Sequence, residues 1–456
     1  MKTHFKFMVA LAVIIVVSAC ENEVIKPGEG QSVRSHYNGV IKSYGPEVVL
    51  KWNEALGLAI ENKMSTSAET RIYAMVSLAV HDALNNVVPK YETHALANNH
   101  VDQKEILKSI SKQNISHIAN AAVSQAAHDV WITLQPASTN NADNLLATCL
   151  SEIEDSDLKT KGIAIGKAVA SAMLTKRQAD PLLGFTTFSI GTAPGTHQSN
   201  YMPYASANPP VWPANAVYGT SLGSFTPFGI ESGDQFRPDV PYAINSIEYT
   251  ADHNEVKRLG CGTCAERTSE QTEIGAFWKD NTSGLMNKIA RVLVVKEKLD
   301  GWETARLFAL LQMAQMDANI ASFEAKYYYN YWIPVTAIRA ADTDGNGDTQ
   351  GDVSWAPTFA PPPTPDYPST PASAGGSSAA IFKQFFGTDN KSFAITNTFT
   401  IPGVERSFTS FSQASTENAL SRVYIGSHFR NAVVTGEIQG RKIGKYVFEH
   451  NLKELY

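Results

Sequence analysis

Ser421-Arg422-Val423-Tyr424-Ile425-Gly426-Ser427-His428-Phe429 sets a planar cation and an imidazole six residues apart, with a glycine between them. On an unbroken helix that separation would point the two side chains about 120° apart. Gly426 can leave the helical conformation without the clash that a Cβ brings, so a break there lets both groups aim at one ligand. The residue types suit a multiply charged anion, because arginine presents a rigid fork of donors.

Two earlier stretches carry matching chemistry. In Lys326-Tyr327-Tyr328-Tyr329-Asn330-Tyr331-Trp332-Ile333-Pro334, the lysine offers a compact positive charge. In Tyr367-Pro368-Ser369-Thr370-Pro371, Ser369 offers a hydroxyl just ahead of a helix expected over 372–386. The first turn of that helix would present N–H groups and the positive end of its dipole, and Pro371 is tolerated there. Taken singly, Lys326 reads as a solvated helix-end cation and Arg422 as a salt-bridge partner. As an ordered set they describe one anion pocket.

The three stretches, in this order, resemble the three-part signature of the vanadium-dependent haloperoxidases and the related type 2 phosphatidic acid phosphatases. That signature reads Lys-x6-Arg-Pro, then Pro-Ser-Gly-His, then Ser-Arg-x5-His. The third part is complete here. In the first, Ile333 stands in place of arginine; in the second, Thr370 and Pro371 stand in place of glycine and histidine. Residues 74–83 and 270–278 are also similar to bacterial members, so the resemblance extends from about residue 48 onward.

The resemblance implies a mainly α fold of packed helical bundles with vanadate as cofactor. Lys326, Ser369 and Arg422 would bind the vanadate or phosphate, and His428 would be the catalytic residue, as vanadium ligand or as nucleophile on phosphorus. The implied partners are hydrogen peroxide with halide, or a phosphate ester. Ile333 removes one anion clamp and Pro371 the usual acid/base group, so another side chain would have to compensate. His81, His117, His128, His197 and His253 are the candidates. The first functional reading is therefore a haloperoxidase-like protein. A phosphatase using His428 is the second, and a non-catalytic anion-binding lipoprotein the third.

The remainder of the chain sets the frame. Its 456 residues are 43% apolar, enough for a large core, and a net charge of −6 gives no basic excess for nucleic acid. Lys2 and Lys6 precede an apolar run from Phe7 to Val17, and Val17-Ser18-Ala19-Cys20 resembles a lipobox. This predicts residues 1–19 as a lipoprotein signal peptide, lipidation of Cys20, a tether over 20–47 and attachment to the cell envelope by the lipid alone. The body divides into an N-terminal helical part, 48–240, and a C-terminal part, 241–456, forming one continuous unit.

Helical periodicity is clear over 71–85 and 116–134, and 180–240 reads as irregular loops before helix resumes near Gln271. Asp300 and Glu303 have capping-box spacing ahead of a helix expected over 303–325 with one apolar stripe. Further helical stretches are expected over 372–386 and roughly 415–447. Cys261 and Cys264 suit a local disulfide or two thiols. His81-Asp82 reads as a satisfied helix pair, the aromatic run 327–332 as pocket packing, and 342–352 as an acidic turn-rich loop.

Overall fold

The computed structural model describes residues 37–98, 103–188, 191–198 and 216–455. Cys20 and the leader lie outside them. Two small antiparallel hairpins, β1 (Phe185–Thr187) with β2 (Ala216–Tyr218) and β3 (Phe393–Thr396) with β4 (Glu405–Phe408), accompany an otherwise helical chain. The mainly α expectation holds.

The helices are α1 (Glu47–Ile60), α2 (Thr66–Val87), α3 (Gln103–Ser109), α4 (Ile115–Leu134), α5 (Thr139–Ser151), α6 (Asp157–Lys176), α7 (Ile247–Leu259) and α8 (Ser269–Phe277). They continue with α9 (Thr282–Glu297), α10 (Gly301–Tyr329), α11 (Pro334–Ala340), α12 (Thr370–Phe386), α13 (Phe411–Tyr424) and α14 (Arg430–His450). Helix α10 is the shared member of two bundles. It packs on α2, which lies against α4 and α6, and also on α12 and α14.

The capping box forms as the sequence predicts: the Asp300 carboxylate accepts the Glu303 N–H at 2.8 Å, and Glu303 accepts the Asp300 N–H at 3.1 Å. The helix then runs one turn past the expected end, to Tyr329, where Asn330 turns left-handed at φ 50°. A single apolar stripe is too narrow a description. Leu307, Phe308, Leu310, Leu311, Met313 and Ile320 are buried around the whole circumference, as a helix between two bundles requires.

Three other differences have simple causes. The stretch expected over 415–447 is two helices, separated where Gly426 adopts φ 76°. Helix α7 precedes Gln271 and was hidden by its many charges. The folded body starts before residue 48, since 37–41 is a helical turn and Val40, Ile41 and Tyr44 are buried.

Buried carboxylates tie loops to the bundles by collecting successive backbone N–H groups. Asp82 accepts from His94, Ala95 and Leu96 at 2.8, 2.7 and 3.2 Å, and Asp317 accepts from Phe228, Gly229 and Ile230 at 2.6, 2.7 and 2.9 Å. His81 bonds Asn85, so the His81–Asp82 pair is a structural device of α2. Asp344 accepts the Asn346 N–H at 2.7 Å and the Thr349 hydroxyl at 3.1 Å, which makes the 342–352 segment a self-capped loop. Cys261 and Cys264 form a disulfide, and Cys149 is a buried thiol. Among the described residues, no helix is long and apolar enough to cross a membrane.

A close helix contact positions the pocket. Gly436, Gly440 and Gly444 form a seam on α14 against Ser369, Ser373 and Ser377 of the α12 region. A Cβ at Gly440 would overlap the Ser373 carbonyl oxygen, and one at Gly436 would sit 2.5 Å from that of Ser369. Gly440→Ala is therefore expected to lower stability by about 3 kcal/mol, the overpacking scale. Gly347→Ala, which meets nothing within 4 Å, should stay within about 0.5 kcal/mol of wild type. Thermal or denaturant unfolding of the two variants checks the contrast.

Candidate oxyanion site

Four elements converge on the predicted residues. Lys326 lies in the last turn of α10, Ser369 immediately precedes α12, Arg422 is in the last turn of α13, and His428 lies in the turn before α14. All four are buried. Gly426 makes the turn possible: with its left-handed backbone, the N–H groups of Ser427 and His428 both return to the Arg422 carbonyl, at 2.9 and 3.3 Å. A side chain at 426 would also strike the Gly260 carbonyl oxygen at 2.5 Å.

The two cations are buried without carboxylate partners. Lys326 Nζ donates to the carbonyls of Pro365 and Asp366, at 2.6 and 3.0 Å. Arg422 donates one Nη to the Trp278 carbonyl, while its buried Nε has no partner among the described residues. Burial pulls the Lys326 ammonium down to about 8, against the opposing pull of the Asp366 charge. Burial likewise pulls the Arg422 guanidinium down to about 10. Each cation is thus costly as it stands and would be relieved by an anion.

Ser369 is the residue before α12, yet its side chain makes no capping bond, and its buried Oγ has no partner among the described residues. The hydroxyl is left to face a ligand beside the N–H groups that open the helix. His428 is bonded through Nδ1 to Asp366 Oδ1 at 2.7 Å. That bond fixes the ring and leaves Nε2 for a ligand. Burial lowers the His428 pKa, with Asp366 opposing and Lys326 and Arg422 adding to the effect, which favours the neutral imidazole.

The altered positions are genuinely altered. Ile333 is buried in an apolar cluster with Tyr249, Trp332, Val335, Trp355 and Phe429, where it supplies no charge. Pro371 sits in the first turn of α12 and offers only its carbonyl, which accepts from Asn418 at 2.8 Å. Of the candidate histidines, His81, His117 and His128 belong to α2 and α4, and His128 lies between Asp129 and Asp143 at 2.7 and 2.8 Å. His253 stands on α7 against Tyr249. His197 alone among them is acted on by Lys326.

Asp366 is the functional neighbour that the motifs do not reveal; its only signal is a carboxylate three residues ahead of Ser369. The aromatic run packs as expected. Tyr329 and Tyr331 donate to the carbonyls of Pro238 and Tyr242 at 2.5 and 2.8 Å, holding loops around the pocket.

Lys326, Ser369, Arg422 and His428 thus stand at the ends of four helix segments as a candidate oxyanion site. The family model of the VCPO second helical-bundle domain matches residues 306–455, the part that carries all four pocket residues. The chain is 24% identical to the vanadium chloroperoxidase of Curvularia inaequalis, covering 85% of this chain and 79% of that one. Among solved structures, a bacterial vanadium-dependent iodoperoxidase superposes with a TM-score of 0.71 at 24% identity, covering 90% of this chain and 98% of the other. An apo-type bacterial vanadium-dependent chloroperoxidase gives 0.69 at 17% identity, covering 86% and 95%. Residues 306–455 thus match the VCPO second helical-bundle family, and the chain as a whole shares the fold of the vanadium-dependent haloperoxidases.

The Lys326 charge sets a pH dependence. Its pKa is depressed to about 8. The cation is therefore fully present only well below pH 8, is half lost at that value, and its help to anion binding fades as the pH rises further. Affinity for tungstate, an oxyanion that does not itself titrate there, should fall roughly tenfold per pH unit above pH 8. Lys326→Met should bind more weakly throughout and lose that slope. Isothermal titration between pH 6 and 10 measures both.

Proposed function

We propose that this chain is a vanadate-dependent peroxidase that oxidises halide with hydrogen peroxide. The observation that carries the proposal is the pair of buried cations, Lys326 and Arg422, without carboxylate partners and beside an unpartnered Ser369 hydroxyl. The unsatisfied donors fit a tetrahedral oxyanion better than a bare metal cation. Among the described residues, no group of three or more His, Cys, Asp or Glu side chains is arranged to hold such a cation.

Lys326, Ser369 and Arg422 would hold the vanadate, and His428 would meet it through Nε2. Bound there, vanadate would supply a Lewis-acidic centre that activates peroxide toward halide. The chain's own contribution is electrostatic. Lys326 and Arg422 balance the negative charge, and Asp366 keeps the His428 ring oriented and its Nδ1 occupied. The relatives named above, a chloroperoxidase and an iodoperoxidase, support the reaction class while leaving the halide to be measured.

The Asp366–His428 pair also favours a second reading. A carboxylate that orients an imidazole suits a nucleophile attacking phosphorus, so a phosphatase is the alternative. One set of assays separates them. Vanadate-loaded protein should oxidise iodide or bromide, and His428→Ala should lower that rate at least about 100-fold. Vanadate-inhibited hydrolysis of a phosphomonoester with no halide oxidation would support the phosphatase instead. Absence of both activities, with tungstate still bound, would leave a binding protein and contradict both.

A further inference from the structure

The segment that carries His197 is stitched to the backbone that follows Lys326. The Trp332 N–H donates to the Gly195 carbonyl at 3.0 Å, Thr196 bridges Tyr331, and the His197 N–H donates to the Asn330 carbonyl at 2.8 Å. On the same short stretch, the Asp366 N–H donates to the Tyr331 carbonyl at 2.9 Å. The extended residues 330–332 thus hold the His197 segment and the Asp366–Ser369 segment together, one turn beyond Lys326.

The His197 side chain is 1% exposed, and among the described residues neither ring nitrogen has a hydrogen-bond partner. Among the described histidines, it alone has both nitrogens buried and unpartnered. A core histidine is ordinarily satisfied on at least one side, because an unpaired buried polar atom is costly. Here the cost is borne twice, on a segment bonded to the stretch that follows Lys326, whose charge bears on the ring. The superfamily position that would carry a histidine is Pro371, which has no titratable group.

We propose that His197 is the proton-transfer residue of the oxyanion site, acting from the loop side of Lys326 in the role that residue 371 leaves unfilled. The inference rests on the oxyanion reading above. In the overall reaction, hydrogen peroxide, halide and one proton give hypohalous acid and water. His197 takes an O–H proton from the incoming peroxide and returns it to the oxygen that departs as water.

Two effects frame this role. Burial disfavours an imidazolium at 197, and Lys326 repels it too, so the free ring is neutral and a weak base, with its pKa at about 3. Lys326 is the charge that bears on His197; Asp366 in turn acts on Lys326 and is bonded to His428, on which Arg422 also acts. A bound oxyanion beside Lys326 would cancel its repulsion and favour the protonated ring.

The test pairs kinetics with a readout that needs no turnover. In 15N-histidine-labelled wild-type protein, the His197 ring, assigned by the signals lost in His197→Gln, should shift toward the imidazolium when tungstate binds. His197→Gln should lower kcat for halide oxidation about 100-fold, the scale of general acid–base catalysis, while tungstate affinity changes less than about threefold. Adding Pro371→His to that variant should restore at least about tenfold. If tungstate binds but the His197 signals do not respond, the proposal is overturned and the oxyanion reading stands. A wild-type kcat in His197→Gln would overturn the proposal in the same way. If wild-type protein binds no tungstate, both fall. Should His197→Gln not fold, assignment by His197→Asn leaves the wild-type spectra to decide.

Discussion

Lys326 and Arg422 are held in the interior by carbonyl oxygens alone, and that arrangement governs the rest of the site. A buried cation is tolerated when a carboxylate meets it or when an anionic ligand will. No carboxylate forms an ion pair with either group among the described residues, and Asp366 spends its one bonded oxygen on His428. Both cations are consequently destabilised by burial. The fold sustains this cost with the rigid backbone around it: a helix end, a left-handed turn and the free start of another helix.

The larger architecture keeps those ends together. Helix α10 is anchored along its length between two bundles, so Lys326 is placed by contacts far from the pocket. The glycine seam of α14 brings its backbone onto Ser369, Ser373 and Ser377, which fixes the start of α12 opposite Lys326. Gly426 then sets Arg422 and His428 on either side of one tight turn. A disturbance in any of these would misplace a buried charge that has no carboxylate partner among the described residues.

Much of this is legible in the sequence. The capping box at Asp300 and Glu303, the helix break at Gly426 and the sites of Lys326, Ser369, Arg422 and His428 are local features, set by residue type and spacing. Asp366 is not legible, because its bond to His428 spans 62 residues and only the fold brings the two together. The Gly436-Gly440-Gly444 seam has a visible four-residue period, yet which helix it faces is a tertiary fact. His197 is one of five candidate histidines in the sequence. The fold separates it from the others, by pairing its loop with residues 330–332 and by leaving both ring nitrogens buried without a partner among the described residues. Helix α10 reads as amphipathic because its leucines fall on one stripe. A helix shared by two cores buries polar and apolar positions alike.

Four helix ends enclosing one oxyanion, held by unpaired donors, is the claim on which the functional reading stands. A crystal structure of the protein soaked in tungstate, with the anion located by its anomalous scattering, tests it most directly. The expected result is a single strong peak within hydrogen-bonding distance of Lys326 Nζ, Ser369 Oγ and the Arg422 guanidinium, facing His428 Nε2. A pocket without tungsten at saturating concentration, or with Lys326 and Arg422 turned to new carboxylate partners, would contradict it.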